Sequence, residues 1–136
     1  MNEEAKKKYI QFKMIEEQIT DLSSKMEMLE KQQSELANTR KALNELPNTP
    51  NGREILIPLA AGIFAKAKLE KNDKVFVNVG SNVTVGKTPE QALIMVQEQM
   101  DQIAEYEKEL TAGLMKLSGM ADTVNEELMS IQEKEQ

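Results

Sequence analysis

The stretch Ser81-Asn82-Val83-Thr84-Val85-Gly86-Lys87-Thr88 is where residue types and spacing in this chain come nearest to ligand chemistry. It ends in Gly-Lys-Thr and opens onto a helical segment, as a phosphate-binding loop does when its backbone amides and lysine cradle a nucleotide. Ser81 stands where such a loop needs its first glycine, and Gly80 comes one place too early. Val83-Thr84-Val85 is β-branched and reads as strand, whereas a cradle must leave its amides free. No apolar strand ending in aspartate is at hand to hold magnesium, and the chain cannot build the parallel sheet that supports such loops. The stretch therefore reads as a strand end followed by a capped helix, and no cofactor is expected. The rest of the chemical inventory is thinner. The chain has no histidine and no cysteine, which removes the commonest general base, the commonest transition-metal ligand and the thiol nucleophile. Adjacent carboxylates such as Glu16-Glu17 and Glu126-Glu127 point in different directions on a helix and make poor acid–base pairs. The expectation is a protein that is not an enzyme.

The elements that carry these residues are written in two long apolar repeats. In the first, position a falls on Phe12, Ile19, Met26, Gln33 and Arg40, and position d on Ile15, Leu22, Leu29, Leu36 and Leu43. In the second, a falls on Leu93, Met100, Glu107, Leu114, Ala121 and Leu128, and d on Val96, Ile103, Leu110, Leu117, Val124 and Ile131. A seven-residue repeat held this long predicts left-handed coiled-coil helices, because slight underwinding keeps one seam facing the partner. The first helix should run from near Asn2 to near Leu46, where Pro47, Asn48, Pro50, Asn51 and Gly52 form a cluster of breakers. The second should start with Thr88 as N-cap, Pro89 in the first turn and Gln91 closing a capping box. Each arm of about 45 residues would measure roughly 68 Å at about 1.5 Å per residue. Matched arms around one connection predict a chain folded back on itself.

Between the arms the period changes to two. Ile63, Ala65, Ala67 and Leu69 alternate with Phe64, Lys66 and Lys68, and Val75, Val77 and Val79 alternate with Phe76 and Asn78. Val83 and Val85 form a further strand, and Ile55-Leu56-Ile57 another, which Pro58 confines to an edge or an end. Asn72-Asp73 and Gly80-Ser81-Asn82 are turn signals. The expected fold is mainly α with a small β head: a long antiparallel coiled-coil hairpin with two β-hairpins at its bend. Its parts are an N-terminal helix over 1–46, the hairpins over 47–88 and a C-terminal helix over 89–136. Small sheets are marginal alone, and open edges pair with other chains. Ile63, Phe64, Val75, Val77, Val79, Val83 and Val85 are therefore expected to join heads from several chains into an intersubunit β-barrel. Packing of the sheet onto the base of its own coiled coil is the alternative.

The formal charge of −6 is spread unevenly. Residues 1–46 carry eight basic and nine acidic side chains, 47–88 six and three, and 89–136 three and eleven. An acidic long arm disfavours nucleic acid and anionic membranes, both of which demand basic surface. No apolar run approaches the roughly 20 residues of a membrane span, and the acidic, polar N-terminus lacks the apolar stretch of a secretory signal. With no cysteine, the chain fits a reducing compartment, and a cytoplasmic protein is expected. Nine methionines are present, and Met14, Met28, Met115, Met120 and Met129 lie off the seam. Met suits irregular and promiscuous surfaces. In an antiparallel hairpin the two chain ends meet, bringing Tyr9, Phe12 and Met14 near Met120, Val124, Leu128 and Met129. Exposed apolar surface there would mark an interaction site.

Two hairpins between two coiled-coil arms resemble the prefoldin family, in its archaeal-type α subunit. Pro58-Leu59-Ala60-Ala61-Gly62-Ile63-Phe64-Ala65-Lys66-Ala67 looks like the family's first hairpin, and Val77-Asn78-Val79-Gly80-Ser81-Asn82-Val83-Thr84-Val85-Gly86-Lys87-Thr88 like its second. The resemblance implies a hexamer with prefoldin β subunits, two α and four β. It implies an ATP-independent molecular chaperone that holds unfolded client polypeptides at its tips and delivers them to a group II chaperonin. The tip residues would be the seven just named. A structural coiled-coil adaptor and a filament-forming homo-oligomer of the same fold are the alternatives.

Overall fold

The computed structural model of the chain describes residues 2–71 and 73–134. Helix α1 (Glu3–Glu45) runs into a 3-10 turn (Leu46–Asn48), and four strands follow, β1 (Glu54–Ala60), β2 (Ile63–Lys68), β3 (Val75–Asn78) and β4 (Thr84–Lys87), before helix α2 (Pro89–Lys134). The class is the expected one, mainly helical with two small antiparallel hairpins. Asn72, half of an expected turn, lies outside the described residues, and its neighbour Asp73 is in a bend.

Local chemistry explains the element ends. The Asn2 side chain accepts the Ala5 amide at 2.7 Å, and Glu3 and Glu4 occupy the first turn of α1, where the helix dipole favours negative charge. Pro47 ends the regular helix in a turn, and Thr49 closes it by donating its amide to the Leu46 carbonyl and its hydroxyl to the Glu45 carbonyl. At the start of α2 the capping box is complete. The Thr88 amide donates to Gln91 Oε1 and the Gln91 amide to Thr88 Oγ1, both at 3.1 Å.

The chain divides into two compact units. One joins residues up to 33 with those from 102 onward. Here α1 and α2 run antiparallel, as the Lys8–Glu127 ion pair and the approach of Leu22 to Gly113 require. Ala5, Ile15, Leu110, Val124 and Leu128 are its buried side chains. A Cβ on Gly113 would lie 3.3 Å from Leu22 Cδ1, so the missing side chain lets the helices approach. The seam is not wholly apolar. Glu107 occupies an a position, and its Oε1 is enclosed without a hydrogen-bond partner.

The other unit spans 34–101. Its core is Leu43, Ala92 and Val96, with Leu36, Leu93, Met100 and Val75 packed against them. Val75 thus ties β3 to the base of the helices. Arg40 donates to Gln97 Oε1 at 3.1 Å across the pair. In both units every a and d position is buried or half-buried.

The strands form two separate two-stranded sheets, β1 with β2 and β3 with β4. Pro58 sits inside β1 opposite Phe64 rather than ending it, and an irregularity between Pro58 and Ala60 leaves Leu59 without a partner in the register. A two-stranded sheet has only edge strands, so the missing proline amide can face away from the ladder. Ala61 and Gly62 turn the first hairpin with φ of 49° and 78°. Positive φ at both centres is what a primed turn needs. Gly80-Ser81-Asn82 turns the second, also at positive φ, with the Asn78 side chain accepting the Gly80 amide at 2.9 Å.

Candidate functional site

The stretch that nearly spells a phosphate loop is the second hairpin. Its register sets Val85 opposite Val77 and Gly86 opposite Phe76, and the Val83 amide donates back to Gly80. It is laddered strand and tight turn rather than a loop wrapped round an anion. Among the described residues no group of three or more metal-ligating side chains converges, and no helix is long and apolar enough to cross a membrane. Each unit presents exposed apolar surface.

In the unit that contains the chain ends, the Lys8–Glu127 ion pair pins the start of α1 beside the last turns of α2. A shallow groove of about 510 Å³ runs there, lined by Lys8, Gln11, Met120, Val124 and Glu127 among others. Of the expected tip residues, Tyr9, Met14, Met120 and Met129 are exposed. Phe12 is half-buried, and Val124 and Leu128 are buried in the seam, because a and d positions face the partner helix. Those two offer surface only where the helices part. The Lys13 ammonium stands over the Tyr9 ring at 5.6 Å, which holds one face of that ring against a cation. The Asn125 amide donates to the Met129 sulfur at 3.9 Å. Sequence reasoning missed Ile10, which is 59% exposed and one helical turn from Met14 on the same face. Its only signal was an apolar residue diametrically off the seam.

In the other unit, Ile63, Phe64, Val79, Val83 and Val85 are exposed, and Val75 and Val77 are half-buried. The hairpins add Ile55, Leu56, Ile57, Leu59 and Phe76, the last 73% exposed, none of which the sequence reading had placed in the joining set. Two short hairpins with this much bare apolar surface are not self-sufficient. Lys66 reaches Glu54 across the first hairpin at 3.6 Å, an exposed pair that contributes little.

Comparison with known proteins adds an independent line. The family model for prefoldin subunits matches residues 15–134. Prefoldin subunit alpha of Methanothrix thermoacetophila is 38% identical over 69 residues, 51% of this chain and 45% of that protein. Prefoldin subunit alpha of Archaeoglobus fulgidus is 25% identical over 132 residues, covering 97% of this chain and 96% of the relative. Among solved structures, the cryo-EM structure of filamentous PFD from Methanocaldococcus jannaschii superposes with a TM-score of 0.73. It covers 85% of this chain and 95% of the solved one at 23% identity, a likeness of fold.

Proposed function

This chain belongs to the prefoldin family, and on that premise we propose that it is the α-type subunit of an ATP-independent chaperone that holds unfolded polypeptides and passes them to a group II chaperonin. The observation that carries the reading is the pairing of two unlike apolar surfaces on one chain. The hairpins present strand edges and bare Ile, Val and Phe side chains suited to permanent burial between subunits. The unit with the chain ends presents scattered flexible side chains, Tyr9, Ile10, Met14, Met120 and Met129, suited to weak contact with varied apolar segments. Several weak tips on one body gain avidity through effective concentration. The partners in this reading are β-type subunits, two α with four β, and the work is done in the cytoplasm. Binding and release need no bond chemistry, so the chain acts as a holdase and not as an enzyme.

Deleting residues 1–14 together with 120–136 tests the reading. The truncated chain keeps the hairpins and Ile19, Leu22, Leu110 and Leu117 of the seam, so assembly with a one-hairpin partner should survive in native mass spectrometry. Suppression of aggregation of a denatured enzyme should fall sharply, with or without ATP. Full protection by the truncated assembly would move client binding away from the tips. A lone chain that grows into open-ended fibres would favour the filament-forming alternative.

A further inference from the structure

We propose that Met14, Met120 and Met129 are sites of reversible peroxide oxidation that lowers client capture without disturbing the fold, an inference that rests on the tip reading above. Nine methionines and no cysteine leave thioether sulfur as the only sulfur redox chemistry this chain has. The structure sorts those sulfurs. Met14, Met28, Met115, Met120 and Met129 are exposed, and all lie in the unit that contains the chain ends. Met26 and Met100 occupy a positions in the seam, and Met95 is half-buried. Three of the five exposed sulfurs, Met14, Met120 and Met129, thus lie on the surface assigned to clients, while Met28 and Met115 lie outside it and the seam methionines are half-buried.

The step balances with hydrogen peroxide as the oxidant. A sulfur lone pair attacks one peroxide oxygen, the O–O bond breaks as the S–O bond forms, and the other oxygen leaves as water after proton transfer. Sulfur loses two electrons and peroxide gains them. The product is a polar, chiral sulfoxide, which a thiol-dependent sulfoxide reductase returns to the thioether. At Met14 the new oxygen sits one turn from Ile10. At Met120 it enters the groove beside Lys8 and Glu127. At Met129 the Asn125 amide already points at the sulfur, and a sulfoxide oxygen is a far better acceptor for it. None of the three changes adds a polar group to the seam, so the helices keep their packing while the tip loses apolar character.

The test treats the full-length assembly with graded hydrogen peroxide, maps oxygen addition by peptide mass spectrometry, and measures native mass and protection of a guanidinium-denatured test enzyme. Met14, Met120 and Met129 should oxidise before Met26 and Met100. Oligomer mass should not change, and capture should weaken about tenfold, the equivalent of ~1.4 kcal/mol. A reductase should restore it. The triple variant Met14→Leu, Met120→Leu, Met129→Leu sets its own baseline of capture, and peroxide should leave that baseline unmoved. Equal oxidation of seam and surface methionines, or unchanged peroxide sensitivity of the leucine variant, overturns the proposal. Replacing the three with Gln separates the two readings. Loss of capture in the Gln variant with no effect of peroxide on the native chain overturns the redox inference and leaves the tip reading standing. Full capture by both the Gln variant and the oxidised chain overturns the tip reading as well.

Discussion

Replacing Glu107 with Leu should stabilise the protein. Glu107 holds an a position on α2, half-buried, between Ile103 and Leu110 on the seam face, and its Oε1 is enclosed with no hydrogen-bond partner. Leaving a buried polar group unpaired costs about 1–3 kcal/mol, and the lower end applies because the residue is only half-buried. A leucine there would contribute about half of the roughly 1.5–3 kcal/mol that full burial brings. Together the change is worth about 2 kcal/mol. For a chain of this length about 4 °C of melting temperature accompanies each kcal/mol, so the midpoint should rise by about 8 °C. Glu107→Gln, which removes the charge but keeps a polar oxygen, should gain less than half as much. The assay is far-UV circular dichroism on full-length protein at fixed protomer concentration, since association shifts apparent stability. An unchanged or lower midpoint for the leucine variant would refute the reasoning, because it would mean the carboxylate is satisfied in solution. One cost is expected alongside the gain. A polar residue at an a position selects one register over its slipped neighbours. Carbodiimide cross-linking of the Lys8–Glu127 ion pair reads that register, and its yield should fall in the leucine variant.

Val77→Glu, which sets a carboxylate on the half-buried face of β3, should abolish higher oligomers in native mass spectrometry while leaving most helical signal intact; unchanged oligomer mass would count against the hairpins as the joining surface. Gly119→Ala should raise stability by about 1 kcal/mol, since a Cβ there meets nothing within 4 Å, and Gly113→Ala should gain less because its Cβ would crowd Leu22; equal denaturation midpoints would contradict this. Ala61→Asn should stabilise the first hairpin by about 1 kcal/mol, because Asn tolerates the left-handed conformation that Ala61 is held in, and amide exchange across β1 and β2 should slow accordingly. Thr88→Ala should cost about 1 kcal/mol by removing the hydroxyl that accepts the Gln91 amide, visible as faster exchange of that amide.

The parts of this fold that sequence reasoning reached are those written in periodic or reciprocal signals. The seam was legible because eleven heptads of apolar spacing outweigh single exceptions such as Gln33, Arg40 and Glu107. Thr88 and Gln91 announced the start of α2 because a capping box needs both residues at one spacing. Ala61-Gly62 went unnoticed as a turn because alanine gives no hint of positive φ, unlike the Asn-Gly pairs that usually mark such turns. Proline's known dislike of strands hid the continuation of β1 through Pro58, although a strand that is all edge tolerates it. Among the tip residues, type alone could not separate the seam from the surface. Val124 and Leu128 followed the heptad into the seam, and Ile10 escaped notice because a lone apolar residue off the seam belongs to no period. The surfaces of the hairpins depend on chains other than this one, and a single sequence holds only half of that match.

The seam in the unit with the chain ends is one side chain deep, with two helices and no third layer to enclose it. Such a structure melts like a zipper. A globular core opens all at once, because each side chain touches neighbours on every side, but here a tooth contacts only the teeth next to it. Parting the last teeth, Ala5, Ile131 and Leu128 with the Lys8–Glu127 clasp, releases those contacts and leaves Ile15 and Leu110 closed. Amide protection should therefore climb steadily from the chain ends inward, with no step marking a boundary. Each brief fraying unveils Leu128 and then Val124, so the apolar area on offer at the ends is a fluctuating quantity that grows with temperature.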